Sequence, residues 1–371
     1  MFLFALFGLL FIVTFFSLAY FDEERDRKFA ISFSILFVII GTIRWKMGGD
    51  WGTYYRFFGY IRISNFPPVA YEPLFTLCYI IAKYTLNSFI VVQFIQVLTC
   101  VYFKYKGFKR YSNHLMLATF LNYCFYLSDM FTVRNYFAAA IAFWGCKYVE
   151  DKKPFKFVLC VLLASNIHMS TILVLVAYPL WHARISIWTK SIFLISSIIL
   201  GLSGLFTTIV SKSAIFLALF SEQAAYKLDY YDQIGDVNAD KEGSGMILLL
   251  GIIKRLIFIP IIFYFEKTTY SNDKRYKALT TLFIFGNFIY FLTLDFKIFQ
   301  RLSIPFYIFE IPILIYIYQK SKFNLTFLLI LGVYGLSKVI VGIDIRDLYQ
   351  FVTIFNTSAT TYWDKFDRGV W

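Results

Sequence analysis

Arg134 and Arg301 in this sequence suit anion binding, Lys254 and Arg255 are cations deep in an apolar segment, His168 suits catalysis or ligand binding, and Arg44 and Asp50 supply opposite charges close together. The densest run of such chemistry is Arg44–Phe58, RWKMGGDWGTYYRFF. Glycines 48, 49 and 52 let backbone approach a ligand closely, and Trp51, Tyr54 and Tyr55 offer faces on which a sugar ring can stack. An interfacial belt of aromatics and snorkelling cations has the same composition, so both readings stand at this point. Arg134 and Arg301 each open an apolar segment, where the free N–H groups of a helix start already favour anions. Asp129 and Asp295 are the nearby carboxylates that each could pair with instead. Lys254 and Arg255 lie about 12–14 Å into the apolar segment that starts at Met246. A charge at that depth costs at least about 2.5–3.5 kcal/mol, which marks a cavity unless the side chain snorkels out. Lys338 is a weaker case of the same kind. His168 sits in Ser165–Ser170, SNIHMS, a polar interruption in the middle of an apolar stretch. Irregular backbone at membrane depth is tolerated only inside protein or around a cavity.

The elements that must position these residues are membrane-embedded. Of 371 residues, 59% are hydrophobic and only 16% charged, with 45 Phe and 28 Tyr. A soluble domain is about 45–50% apolar and about 25% charged, and no globule of this size hides the difference. That excludes a soluble enzyme, a disordered chain and a nucleic-acid binder, despite the net charge of +13. Five cysteines, Cys78, Cys100, Cys124, Cys146 and Cys160, all lie in apolar segments without a CxxC pair and read as free buried thiols. The first twenty residues lack a basic leader and a cleavage motif, so they read as a retained first helix.

The fold expected is all-α and polytopic, a single membrane domain over 1–371. Apolar segments at 1–20, 29–43, 88–104, 114–128, 131–149, 190–206, 246–265, 279–294, 302–318 and 324–342 are candidate spans. Six basic stretches set the orientation by the positive-inside bias: 25–28, 104–110, 147–156, 184–190, 267–277 and 320–322. Placing all six in the cytoplasm requires 155–181 to be a broken hairpin, 155–167 rising and 169–181 returning. Each arm is then about 18–20 Å long, short of the ~30 Å of hydrocarbon, so the His168 tip lies inside the protein. The same parity makes 69–86 enter and leave on the outer side or lie along the interface. The expectation is about twelve crossings with 44–68, 207–245 and the tail 343–371 outside. Lys104 and Lys190 count here as cytoplasmic loop cations.

No nucleotide loop, zinc spacing or outer DxD pair is present, so no cofactor and no metal are expected. Arginine forks would neutralise any phosphate.

In order, GTIRWKMGGDWGTYYRFF, YEPLF at 71–75, VRNYFAAAIAF at 133–143, NIHMSTIL at 166–173 and RLSIPFY at 301–307 resemble the motifs of the EpsG/Wzy polymerases. Family members usually carry Tyr where this chain has Trp51 and Gln where it has Asn135. The resemblance spans about 40 to 310. It implies a GT-C-like membrane glycosyltransferase of the bacterial inner membrane, with its active site on the periplasmic or outer face. Such an enzyme moves a glycan chain from undecaprenyl pyrophosphate to the non-reducing end of another lipid-linked repeat unit, building O-antigen, capsule or exopolysaccharide. Carried over, the resemblance gives Arg44, Arg134, Arg255 and Arg301 to the pyrophosphate and Trp51, Tyr54 and Tyr55 to sugars. Asp50, Glu72 and His168 become candidates to deprotonate the acceptor hydroxyl. The partners implied are the two lipid-linked oligosaccharides, membrane lipid and a chain-length regulator. A lipid-linked oligosaccharide flippase and a membrane acyltransferase remain alternatives; the flippase would predict a symmetry between halves that the sequence lacks.

Overall fold

The computed structural model describes residues 2–48, 50–66, 71–126, 131, 134–206, 208, 244–294, 299–344 and 352–356. Among them the chain is helical, and four helices are long and apolar enough to cross a membrane: Phe2–Tyr20, Phe89–Tyr111, Leu248–Lys267 and Phe299–Lys320. Most of the expected outer loop at 207–245 and most of the tail fall outside the described residues, as do Asp129, Asp295 and Gly49. The helices gather into two compact units, Met1–Leu175 with Leu314–Trp371, and Val176–Ile313.

In the first unit α1 is Phe2–Tyr20, α2 Glu23–Ile43, α3 Trp51–Tyr60, α4 Pro73–Thr85 and α5 Phe89–Tyr111. They are followed by α6 Leu115–Phe125, α7 Arg134–Gly145, α8 Lys147–Glu150 and α9 Pro154–Ser165. Proline at the first positions of α4 and α9 suits helix starts, where its missing N–H costs nothing. The polarity of α1 is that of a membrane helix: Thr14 and Ser17 are buried while Leu9, Ile12 and Phe16 face outward. Asp26 in α2 accepts from the Leu115 and Met116 N–H groups and from Ser17, so one carboxylate caps α6 from a distance. The main interface joins α5 to α7, and Gly107 makes it possible, because a Cβ there would run into the Phe143 ring.

Several sequence expectations shift. Helix α6 holds 11 residues, about 16 Å, and falls short of a crossing at 114–128. The stretch around 104–110 is the helical end of α5 and not a loop. Lys104 is 2% exposed, donating to Asn122 Oδ1 at 3.2 Å and lying 4.4 Å from the Tyr126 ring centroid. The cation was misplaced because the apolar run ends at Lys104 while the helix continues for seven residues. The 44–68 loop contains α3, and within 69–86 the described residues form the helix α4, Pro73–Thr85, about 20 Å long, which suits the expected interfacial placement. All five cysteines are free thiols.

In the second unit α10 is Ala177–His182, α11 Ile187–Leu202, α12 Ser244–Leu256, α13 Ile259–Lys267, α14 Lys274–Leu292 and α15 Ile304–Tyr307. Helix α14 is the centre, touched by α10, α11, α15 and the 3-10 turn Phe299–Ser303. Lys190, read as a loop cation, lies in the first turn of α11 and is buried against Glu266 of α13, 2.7 Å from Oε1. The chain then closes with α16 Glu310–Lys320 and α17 Asn324–Asp344, and Val352–Asn356 returns to the first unit.

Candidate active site

The site in the first unit forms where three chain segments distant in sequence meet: the start of α4, the start of α7 and the break that follows α9. At the break, His168 N–H still bonds to the Ala164 carbonyl, and the chain resumes as a 3-10 helix over Met169–Val176. This is the interruption expected at Ser165–Ser170. Its carbonyls do not go unused, for the Asn166 carbonyl accepts from the Leu74 N–H at 2.9 Å and the Phe75 N–H at 3.3 Å, capping α4.

Glu72, immediately before α4, ties the three segments together. One carboxylate oxygen accepts from Arg134 Nη1 and the other from the Met169 N–H at 3.0 Å. The Glu72 and Arg134 side chains are 20% and 18% exposed, so the pair is largely withdrawn from water. Two rings flank the guanidinium, Tyr71 at 4.9 Å and Phe75 at 5.4 Å from its central carbon. Burial pushes the Tyr71 hydroxyl above the ordinary phenol range, and the Arg134 charge pulls it part of the way back. The partner of Arg134 among the described residues is therefore Glu72, 62 positions away, and both Glu72 oxygens are already engaged.

Asp50 stands at the N-terminal boundary of α3 and accepts from the Tyr54 hydroxyl at 3.3 Å. That hydroxyl also lies against the Arg134 backbone. Asp50, Tyr54, Glu72, Arg134 and His168 thus belong to one connected cluster. Trp51 and Tyr54 are buried, whereas Tyr55 is 43% exposed and stacks on Trp51 at 4.8 Å between centroids. Arg44 is 2% exposed, its guanidinium donating to the Gly41 carbonyl at 2.5 Å. The structure places Arg44 at the end of α2 and does not bring it to Glu72. Gly48 holds φ +93°, and a Cβ there would lie 3.3 Å from the Phe131 carbonyl, so the close approach it permits is to this chain's own backbone.

The tail braces this segment. Arg44 and Thr353 form an antiparallel bridge, with Trp45 N–H donating to the Val352 carbonyl and Ile354 N–H to the Ile43 carbonyl, each at 2.8 Å.

In the second unit the Arg255 guanidinium lies 3.5 Å from the Tyr307 ring centroid and 4.7 Å from that of Tyr290. Gly251, one turn earlier on α12, leaves room for the Tyr290 hydroxyl. Arg301 is exposed on the 3-10 turn Phe299–Ser303.

Three participants were given no role of their own in the sequence, Tyr71, Asn135 and Ser170, although each lies in one of the motif segments that carry the family resemblance. Ser170 hydroxyl lies 2.7 Å from His168 Nδ1 and 3.3 Å from Asn135 Oδ1.

No curated protein and no solved structure matches the chain. The model of the EpsG family matches residues 27–355, a range that takes in the Glu72–Arg134 pair, the His168 break, Arg255, Arg301 and the bracing tail. The chain belongs to the EpsG family.

Proposed function

We propose that this chain is a polysaccharide polymerase of the bacterial plasma membrane, acting at the outer face. It transfers a glycan chain from undecaprenyl pyrophosphate to the non-reducing end of another lipid-linked repeat unit. The observation that carries the reading is the convergence of Glu72, Arg134 and the His168 break, within a chain of the EpsG family. A glycosyl transfer of this kind needs a base for the acceptor hydroxyl and cations for a pyrophosphate leaving group.

His168 takes the base role. It occupies a non-helical position, and a neutral imidazole offers a ring nitrogen that accepts a proton. Glu72 suits the role less, since its oxygens are occupied by Arg134 and Met169. Asp50 is the rival base, one Tyr54 hydroxyl away from the Arg134 helix start. Arg134, beside Glu72 at the start of α7, holds phosphate oxygens, where a planar fork outperforms a point charge. Tyr55, with its exposed face, is the sugar platform of the Arg44–Phe58 run, and Trp51 stacks against it, while Tyr54 is buried against Tyr71 and Phe75. Arg44 secures the end of α2 in this reading. The lipid-linked donor and acceptor are the substrates, and a chain-length regulator is a partner.

The test is product analysis. Purified protein in proteoliposomes receives lipid-linked repeat units, and the glycan is resolved by length. A ladder of multimers is expected. Single units moved across the bilayer without lengthening would make the protein a flippase, and acyl-modified single units would make it an acyltransferase.

A further inference from the structure

Helices α5 and α7 run side by side in the same direction, Cys100 against the Tyr136 carbonyl and Gly107 against the Phe143 ring. Arg134 opens α7, so the far ends of the two helices lie about 18 Å from it, the length of α7. That end is the one the positive-inside bias assigns to the cytoplasm.

Two lysines come together there across a row of rings. Lys106 Nζ lies 5.5 Å from the Tyr102 ring centroid, and Tyr102 packs edge-on against Phe103 at 5.3 Å. Phe103 packs on Trp144 at 5.1 Å, and Lys147 Nζ lies 3.7 Å from the Trp144 centroid and 4.6 Å from that of Tyr148. The charges that face Lys147 are Lys106, Arg110 and Asp151. Arg110 donates to Glu150 at 2.8 Å and to Asp151 at 2.7 Å, which fixes both carboxylates on its own guanidinium. Among the described residues neither Lys106 nor Lys147 forms an ion pair. Two ammonium groups held near each other repel, and an anion between them removes that cost.

The surface beside them is apolar along one line. Phe94, Leu98 and Tyr102 are exposed on α5 at four-residue spacing, and the line ends on exposed Lys106. From Phe94 to Tyr102 it runs about 12 Å, most of the ~15 Å of hydrocarbon in one leaflet. Helix α5 is itself long and apolar enough to cross the bilayer. An acidic protein segment would match the lysines but not an apolar line of that length, and a free phosphate would match only the lysines. A phospholipid matches both.

We propose that Lys106 and Lys147 hold the headgroup phosphate of an anionic phospholipid, with one acyl chain laid along Phe94, Leu98 and Tyr102. The Tyr102 and Trp144 rings cover one side of each ammonium, and the N–H donors on the other side serve the phosphate oxygens. A zwitterionic lipid brings its own ammonium to the same place and is disfavoured. Basic pockets between membrane helices on the cytoplasmic side recognise anionic headgroups in this way. A lipid so held joins α5 to the start of α8 at the end opposite Arg134.

The test is native mass spectrometry of the full-length protein in mild detergent, titrated with phosphatidylglycerol, with phosphatidylethanolamine of the same chains and with inorganic phosphate. Wild type is expected to hold one phosphatidylglycerol more tightly than phosphatidylethanolamine. Lys106→Gln should weaken phosphatidylglycerol about fivefold and the Lys106→Gln, Lys147→Gln double variant about thirtyfold, with phosphatidylethanolamine unchanged. Lys106 is exposed, so its single variant carries the test should Lys147→Gln disturb the packing on Trp144. Lys274→Gln, which removes an exposed lysine of the second unit, should bind phosphatidylglycerol as wild type does. Equal binding of the two lipids, or wild-type affinity in Lys106→Gln, overturns the proposal. Inorganic phosphate bound as tightly as the lipid also overturns it and leaves a free-anion site. Hexaglutamate that displaces phosphatidylglycerol at a lower concentration than the lipid itself needs would give the lysines to an acidic protein segment and overturn it as well. The measurement reads lipid binding alone and is independent of the transfer reaction.

Discussion

Glu72 and Arg134 should behave as one unit in catalysis, and a double-mutant cycle measures that directly. Glu72→Gln keeps the shape and one acceptor oxygen but removes the charge facing Arg134 Nη1. Arg134→Gln removes the other charge. A hydrogen bond to a charged group is worth about 1.5–3 kcal/mol, and the pair is only about one-fifth exposed, so solvent screening takes little from it. Glu72→Gln also weakens the contact to the Met169 N–H. That loss is present with or without Arg134 and cancels in the cycle. At about 1.4 kcal/mol per factor of ten, the coupling expected is about ten- to 150-fold in kcat/KM. The double variant should therefore be little worse than the poorer single variant. The assay is transfer between lipid-linked repeat units in proteoliposomes, at matched amounts of folded protein. Costs that add to within about 0.3–0.5 kcal/mol would mean that Glu72 does not hold Arg134 for the reaction, and the ion pair would then be structural.

Lys104→Cys should resist impermeant thiol reagents from either side of the membrane while Lys109→Cys reacts from one, because Lys104 is buried inside α5; labelling of both at equal rates would return residue 104 to a loop. Ile354→Pro deletes the N–H that donates to the Ile43 carbonyl, worth about 0.5–1.5 kcal/mol, and should loosen the Ile43–Trp45 segment. Its readout is faster proteolysis near Arg44 together with shorter glycan ladders. Glu266→Gln strands Lys190 without its charge partner in a buried site and should destabilise the protein by about 3–5 kcal/mol, seen as a lower melting temperature in detergent.

The sequence revealed best what depends on composition. Helical class and membrane residence follow from the apolar content, and the break at Ser165–Ser170 from one polar interruption in an apolar run. The lengths of helices were harder to read, because hydropathy ends where charge begins and hydrogen bonding does not. Helix α5 continues to Tyr111 through four cations. The Lys104 side chain is accepted there because Asn122 and the Tyr126 ring replace its hydration. Lys190 was misread for the same reason, its charge being cancelled by Glu266, 76 positions away. The tail carried no readable signal, since a two-bond bridge depends on backbone groups that every residue has.

The site divides along a similar line. Side-chain type together with the family resemblance identified Asp50, Tyr54, Glu72, Arg134 and His168, and the structure connects them through Tyr54, Glu72 and the Met169 amide. What type alone could not supply is pairing. Asp129, five residues before Arg134, lies outside the described residues, and the pairing they contain is with Glu72, 62 positions away. That pairing comes from two segments being held end to end by other bonds. The Asn166 carbonyl caps α4, and that fixes Glu72 one residue before a helix start docked on the break. From there the carboxylate spans Met169 and Arg134 together, so the same contact that satisfies the broken helix also orients the arginine. The cost of breaking α9 in a membrane and the need to aim a cation are thus met by one side chain. A substitution at Glu72 should consequently disturb both His168 and Arg134, and one at Asp50 should reach them only through Tyr54.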